Sequence, residues 1–332
     1  MLAGIARLVA RYALLAVAVV LLNFFIPRLL PGDPLAFGSG EGLDAATPLS
    51  AAAQTALRDY YALDQPLPRQ LLAYLDGLRH GDLGWSIAQP APVSGLILAH
   101  LPWTLALLLT SLAISATAGT AVGIVAGWLP GTFRDRALVT LAGLLAAIPE
   151  FLVAIALLLV FAVGLGWFPI FGGQTVFATP SENGGVLRRV LDIAWHLVLP
   201  ATTLTLVGFA GFALLARDVA AALRYEPWLT AARAKGLSES AIARRHALPN
   251  AALPLLTFFG LRLGAVLGGA LVVERVYGVP GLGLLGFEAT RARDYPLLQA
   301  LFLLASLGVL AVNLVVDVLA LRLESRSGTR GG

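Results

Sequence analysis

Cysteine is absent from the 332 residues, which excludes a disulfide framework and any thiolate metal site. Charge is scarce: Asp, Glu, Lys and Arg make up 13% of the chain, about half the roughly 25% of a soluble domain. Lysine occurs once, at Lys235. It is followed by Gly236-Leu237, so the chain lacks G-x-x-x-x-G-K-[ST] and with it the usual phosphate cradle. The four histidines, His80, His100, His196 and His246, include no pair at metal-ligand spacing. Neither G-x-S-x-G nor H-E-x-x-H occurs. These absences leave no catalytic constellation and no metal site. The net charge of +4 is small and dispersed, which does not suggest nucleic acid.

What is present is apolar sequence, 58% of the chain. Several runs exceed the ~20 residues that cross a bilayer as a helix, so the fold class is an all-α polytopic membrane protein. Six spans are predicted, at Tyr12–Ile26, Pro102–Trp128, Ala137–Val163 with Pro149-Glu150 inside it, His196–Ala216, Ala251–Val273 and Pro296–Leu321. The first run follows Arg7 and Arg11, as in a signal peptide. No small-x-small cleavage site follows it, so it reads as an uncleaved helix. The chain then divides into this helix (1–30), a polar segment (31–100), a five-helix core (101–321) and a short disordered tail (322–332). Helical spacing within the polar segment predicts helices at Leu49–Leu63 and Arg69–Leu78. Residues 164–195 form a second extramembrane stretch rich in Gly, Pro and aromatics.

Six spans place both termini on one side. The short loops on that side carry Arg134 and Arg136, and then Arg217, Arg224, Arg233, Lys235, Arg244 and Arg245. Basic short loops stay in the cytoplasm, so both termini are expected there. No internal repeat is evident.

The most informative stretch is Tyr225–Pro254, YEPWLTAARAKGLSESAIARRHALPNAALP, a charged loop within the core, spanning 217–250 with its approach. Pro227 can open a helix. Gly236 can stop or bend one. Ser238 with Ala241 and Ile242 starts a second helix that ends near Pro249. Two short helices joined by glycine make a rigid knob suited to docking.

These residues resemble the cytoplasmic EAA loop of permeases of ATP-binding-cassette (ABC) importers. The pattern is Glu-Ala-Ala, three residues, Gly, nine residues, Ile, one residue, Leu-Pro. Ala231, Ala232, Gly236, Leu248 and Pro249 fall on it, with Thr230 in place of the Glu and His246 in place of the Ile. Both departures are similar to the peptide-permease branch, with its TARAKGL and HALxNAxLP. So are Pro31-Gly32-Asp33-Pro34, Gly81-Asp82-Leu83-Gly84-Trp85-Ser86, and the segment Glu274 to Gly283 followed by Asp294-Tyr295-Pro296. The resemblance covers nearly the whole chain.

It implies the six-helix type I ABC-importer fold in a prokaryotic inner membrane, with no enzyme activity and no cofactor in this chain. ATP and Mg belong to the partner ATPases. The implied partners are a second homologous permease, one or two cytoplasmic ATPases, an extracytoplasmic solute-binding protein and membrane lipid. The implied cargo is a di- or oligopeptide, with nickel complexes, opines or glutathione as alternatives. Thr230, Ala231, Ala232, Arg233, Lys235, Gly236, His246 and Pro249 are the implied ATPase-coupling residues. Pro280, Gly281 and Gly283 lie on the implied binding-protein side. A secondary transporter or a membrane assembly protein would need no such loop.

Three charges lie within apolar runs, where each costs about 2.5–3.5 kcal/mol at mid-membrane. Arg262 either faces an aqueous path or a partner helix, or pairs with Glu150 or Asp317. Glu150 lines that path or sits near its cytoplasmic third against polar loop residues. Asp317 is close enough to the boundary to pair with Arg322 or Arg217. Gly260, Gly264, Gly268 and Gly269 recur at small-x-x-x-small spacing. That seam meets either a second subunit or this chain's own helices.

Overall fold

The computed structural model describes residues 2–29, 51–60, 64–175, 185–243 and 248–328. The Pro31–Pro34 motif and His246 lie outside them. Thirteen helices and one two-stranded hairpin are defined among the described residues. Helix α1 (Leu2–Leu29) is followed by two short polar helices, α2 (Ala51–Tyr60) and α3 (Leu67–Arg79). A hairpin of β1 (Trp85–Ser86) and β2 (Ala91–Pro92) leads into α4 (Val93–Trp128). Then come α5 (Phe133–Ala147), α6 (Glu150–Leu157) with a π-helical continuation Leu158–Gly164, and α7 (Gly185–Leu223). The knob helices are α8 (Pro227–Ala234) and α9 (Glu239–Ile242). The chain closes with α10 (Leu248–Gly269), α11 (Leu271–Tyr277), α12 (Leu282–Arg291) and α13 (Tyr295–Gly328).

Among the described residues four helices, α1, α4, α7 and α13, are long and apolar enough to cross a bilayer. The third expected span is not one helix. It breaks between Ala147 and Glu150, and its halves meet at 96°. Pro149 explains the break. It has no N–H to donate, and its ring drives Ile148 into extended backbone (φ −83, ψ 125). Counted as one span, the pair brings the total to five. The remaining expected span, Ala251–Val273, is divided at Ala270 between α10 and α11, and its apolar part is the shorter Pro254–Leu263.

Several expected boundaries move. Position 101 falls inside α4, which starts at Val93 where its N–H reaches Gly84 O at 3.0 Å and extends the hairpin into the helix. Helix four begins at Gly185 rather than His196, taking up part of the expected 164–195 loop, and runs on to Leu223. The tail expected to be disordered continues α13 as helix to Gly328.

The core is organised by α4 against α7. Ser111 Oγ donates to Ala201 O (3.2 Å) and Ser115 Oγ to Thr205 O (3.0 Å), each pair 90 residues apart. The same offset joins Gly119, Gly123 and Gly127 to the backbone around Phe209, Ala213 and Arg217. A constant offset means two parallel helices in fixed register. Added Cβ atoms would meet Phe209 O at 2.9 Å, Ala213 O at 2.3 Å and Arg217 O at 2.2 Å. Small residues let the backbones approach this closely, the usual device for packing helices in lipid. The seam expected on α10 is different. Gly260 packs on Val316 of α13, where a Cβ would come 2.4 Å from the side chain, so this glycine meets the chain's own helix. Gly264 and Gly268 lie in the last turns of α10.

Candidate functional site: the knob and the helix ends around it

Glu226 caps α8 in extended backbone and Pro227 occupies its first turn, where a missing N–H is harmless. Gly236 ends α8 with φ +77. Its N–H reaches Arg233 O at 2.9 Å and Leu237 N–H reaches Ala232 O at 3.4 Å, a left-handed helix stop. Ser238 Oγ then accepts from Ala241 N–H at 3.3 Å and starts α9. The expected helix–glycine–helix knob is present, but α9 ends at Ile242, and Pro249 lies in the first turn of α10, where proline costs no hydrogen bond.

The knob is tied to the bundle by both apolar and polar contacts. Leu229, Ala232 and Ile242 are buried in one cluster with Trp128 at the end of α4. Glu239 accepts from Trp128 Nε1 at 2.9 Å through one oxygen and from Arg233 Nε at 2.8 Å through the other. The Arg233 guanidinium, with help from the Trp128 N–H, holds the Glu239 carboxyl below the usual range. Arg224 donates to Trp128 O at 2.6 Å. Next to the knob, Arg217 of α7 grips the buried Asp135 of α5 with two bonds, 2.7 and 3.0 Å. This bidentate pair is the strong form of the interaction. Asp135 also accepts from Gly131 N–H at 2.7 Å, so the α4–α5 turn and α7 are locked together.

Of the residues expected to face an ATPase, Thr230, Ala231, Lys235 and Gly236 are exposed, Arg233 is half-buried and Ala232 is buried. The pair Ala231-Ala232 therefore does not form one outward face. At helical spacing Leu229 and Ala232 point into the bundle and Thr230 and Ala231 point away. Trp128 and Glu239 were not singled out from the sequence. The two bond each other across 111 residues of sequence, beyond any local pattern.

Residues 119–328 match the family described as the binding-protein-dependent transport system inner membrane component. The chain belongs to this family. It is 36% identical over 319 residues to the glutathione transport system permease protein GsiC of Pectobacterium atrosepticum, covering 95% of both chains. It is 33% identical over 312 residues to a protein of Sinorhizobium fredii named "probable peptide ABC transporter permease protein", covering 94% of each. A solved chain of the MetNI methionine ABC transporter, in inward-facing form, shares the fold at TM-score 0.53 and 18% identity, covering 69% of this chain and 96% of that one. The chain is thus a multi-pass membrane permease of the type I importer fold.

At the other end of the permease, the segments flagged by their motifs meet one another. The glycine-rich turn contains Gly81 and Gly84 at positive φ, and Asp82 Oδ1 accepts from Gly84 N–H at 3.0 Å. Ser86 Oγ donates to Asp294 Oδ2, which also accepts from Ala88 N–H at 3.1 Å. Asp294 Oδ1 caps α13 through Leu297 N–H at 3.3 Å. Two motifs 208 residues apart are therefore one structural unit.

Pro280, Gly281 and Gly283 enter a second unit. Glu274 is fully buried and accepts from Thr104 Oγ1 at 2.7 Å and from Leu284 N–H at 3.0 Å. Thr104 Oγ1 in turn accepts from Leu282 N–H at 2.7 Å. Together they satisfy the open N–H groups at the start of α12. A Cβ on Gly281 would lie 2.2 Å from Glu274 Oε1, and one on Gly283 2.5 Å from Leu271 Cα. Close approach explains both glycines. Thr104→Val keeps the shape and removes the hydroxyl. It leaves a buried carboxylate and a buried N–H each one partner short, a loss of about 1–3 kcal/mol. Thermal unfolding in detergent checks this: Thr104→Val melts earlier, and Thr104→Ser keeps most of the native stability.

The three intramembrane charges part company. Asp317 accepts from Tyr12 of α1 at 2.8 Å. Arg217, one of its expected partners, is taken by Asp135 and Asp218. Asp317 therefore helps hold the first helix to α13, and nothing in its spacing from Arg322 predicted a tyrosine. Glu150 begins α6 at the 96° bend, with Oε1 buried and without a hydrogen-bond partner among the described residues. Arg262 is exposed on α10, 5.2 Å from the centre of the Phe258 ring.

Proposed function

We propose that this chain is one of two permease subunits of an ATP-driven, binding-protein-dependent importer, and that it forms half of a translocation pathway for peptides. The observation that carries the reading is the knob. It is a small rigid body with an exposed outer face (Thr230, Ala231, Lys235), fastened to the ends of α4 and α7. A body fastened in this way passes a push from a partner into the long helices and does not absorb it. The push comes from cytoplasmic ATPases, one or two chains, which hold the ATP and Mg. His246 and Pro249, which follow the knob in sequence, belong to the same device. Both chain termini lie on the knob side, in the cytoplasm. The opposite end, around Pro280, Gly281 and Gly283, is the side that receives the solute-binding protein, and Gly264 and Gly268 lie toward the second permease. Glutathione is the alternative cargo. It is itself a short peptide, and a relative 36% identical is named for its transport.

Co-purification of the tagged chain from its native membrane in mild detergent, followed by mass spectrometry, tests this. A second six-helix permease and a P-loop ATPase are expected with it. A chain that purifies alone, and moves solute in liposomes without ATP, refutes the reading.

A further inference from the structure

A groove of about 700 Å³ lies between α4 and α5, with α7 behind it. Ala126 of α4 and Leu138 and Ala142 of α5 form its floor, as part of one buried cluster. Val122 and Val125 of α4 and Leu141 of α5 stand exposed along its rims. Among the described residues that line it, all but one are apolar. The exception is Arg134, in the first turn of α5 at the knob end of the groove.

Arg134 is exposed, and among the described residues its side chain makes no ion pair or hydrogen bond. The acid next to it in sequence, Asp135, is buried and already held by Arg217 and by Gly131 N–H. An uncompensated cation therefore stands at the mouth of an apolar slot.

The slot has the dimensions of one leaflet. From Phe133 to Leu145 it follows α5 for about 18 Å. Half of a bilayer's hydrocarbon core is about 15 Å deep. The groove thus runs from headgroup level, where Arg134 stands, to the middle of the membrane. Its volume over that depth leaves a mean cross-section of about 40 Å². A helix with its side chains is about 10–12 Å across and needs at least about twice that area. The slot is too narrow to seat a helix and suits a thin, flexible chain.

We propose that this groove binds an anionic phospholipid of the knob-side leaflet, with an acyl chain in the slot and the phosphate on Arg134. Arginine grips a phosphate through two parallel N–H bonds. A basic residue at the mouth of a pocket between membrane helices is a headgroup site by its charge and its depth. A zwitterionic lipid carries the same phosphate, but its ammonium group offsets the attraction. The lipid fills the cleft between α4 and α5 beside the Asp135–Arg217 pair. The site depends on the membrane setting alone and not on the cargo.

The test is native mass spectrometry of the complete transporter, purified in mild detergent and titrated with phosphatidylglycerol or phosphatidylethanolamine of matched chains. The unmodified complex is expected to hold one phosphatidylglycerol more tightly than any phosphatidylethanolamine. Arg134→Gln is expected to weaken that binding about fivefold or more. Arg136→Gln removes the same charge from the opposite side of α5 and is expected to leave it unchanged. Ala137→Trp fills the slot and is expected to abolish it. If Ala137→Trp fails to fold, Arg134→Gln against Arg136→Gln carries the test. Native phosphatidylglycerol binding in Arg134→Gln, an equal loss in Arg136→Gln, or equal binding of the two lipids by the unmodified complex overturns the site. So does an Ala137→Trp chain that folds but no longer joins a second permease, which would make the groove a subunit contact.

Discussion

Gly123→Val is expected to stop α4 and α7 from closing. The Cβ of any residue at 123 lands 2.3 Å from Ala213 O and 2.8 Å from Ala216 Cβ. One of these is backbone, so no rotamer change relieves the contact. Gly119 and Gly127 make equally close approaches on either side, so the helices cannot pivot around the intruding methyl groups. They must separate along the whole seam. The Ser111 and Ser115 hydroxyls then lose their acceptors on α7. Overpacking in a rigid core costs about 1–3 kcal/mol and more where backbone is struck. A permease that is poorly recovered, or that unfolds many degrees early in detergent, is the expected result. Gly143 of α5 has nothing within 4 Å of its ideal Cβ, so Gly143→Val is the control and behaves as native. Native stability in Gly123→Val would refute the α4–α7 register.

The second large effect is functional. Gly236→Val places a β-branched residue at φ +77, where no atom lies within 4 Å of the new Cβ. There is strain and no clash. A left-handed conformation costs a non-glycine residue about 1–2 kcal/mol, and the turn can escape it by changing the angle between α8 and α9. The Trp128 cluster spans that turn, with Leu229 and Ala232 on α8 and Ile242 on α9, and takes up the change of angle, while the Asp135–Arg217 pair lies outside the turn and keeps the bundle folded. Coupling is expected to fall roughly tenfold or more: the reconstituted transporter hydrolyses ATP with little uptake. Gly236→Asn is expected to be milder, since asparagine tolerates this region. Normal uptake per ATP in Gly236→Val would remove the knob from the coupling mechanism.

Much of this was written locally. Apolar runs longer than a bilayer is thick announce spans wherever they fold, because hydropathy acts residue by residue. The knob was legible for the same reason: Pro227, Gly236 and Ser238 each impose a backbone state by their own chemistry. Pro149 was visible too, but its weight was not. A proline inside a span either kinks a helix or ends it, and only the 96° angle decided which.

The sequence by itself determined the class of protein, four of the six expected apolar spans and the existence of a basic helix–glycine–helix loop. Tertiary structure alone decided what holds them together. Ser86 with Asp294, Thr104 with Glu274, Trp128 with Glu239 and Tyr12 with Asp317 join residues more than a hundred positions apart. The glycine seam of α4 likewise acquires its meaning from α7. Periodicity and turn chemistry reach only a few residues along the chain. A hydrogen bond or a helix seam between distant segments depends on which surfaces meet in the folded bundle, and no local pattern records that.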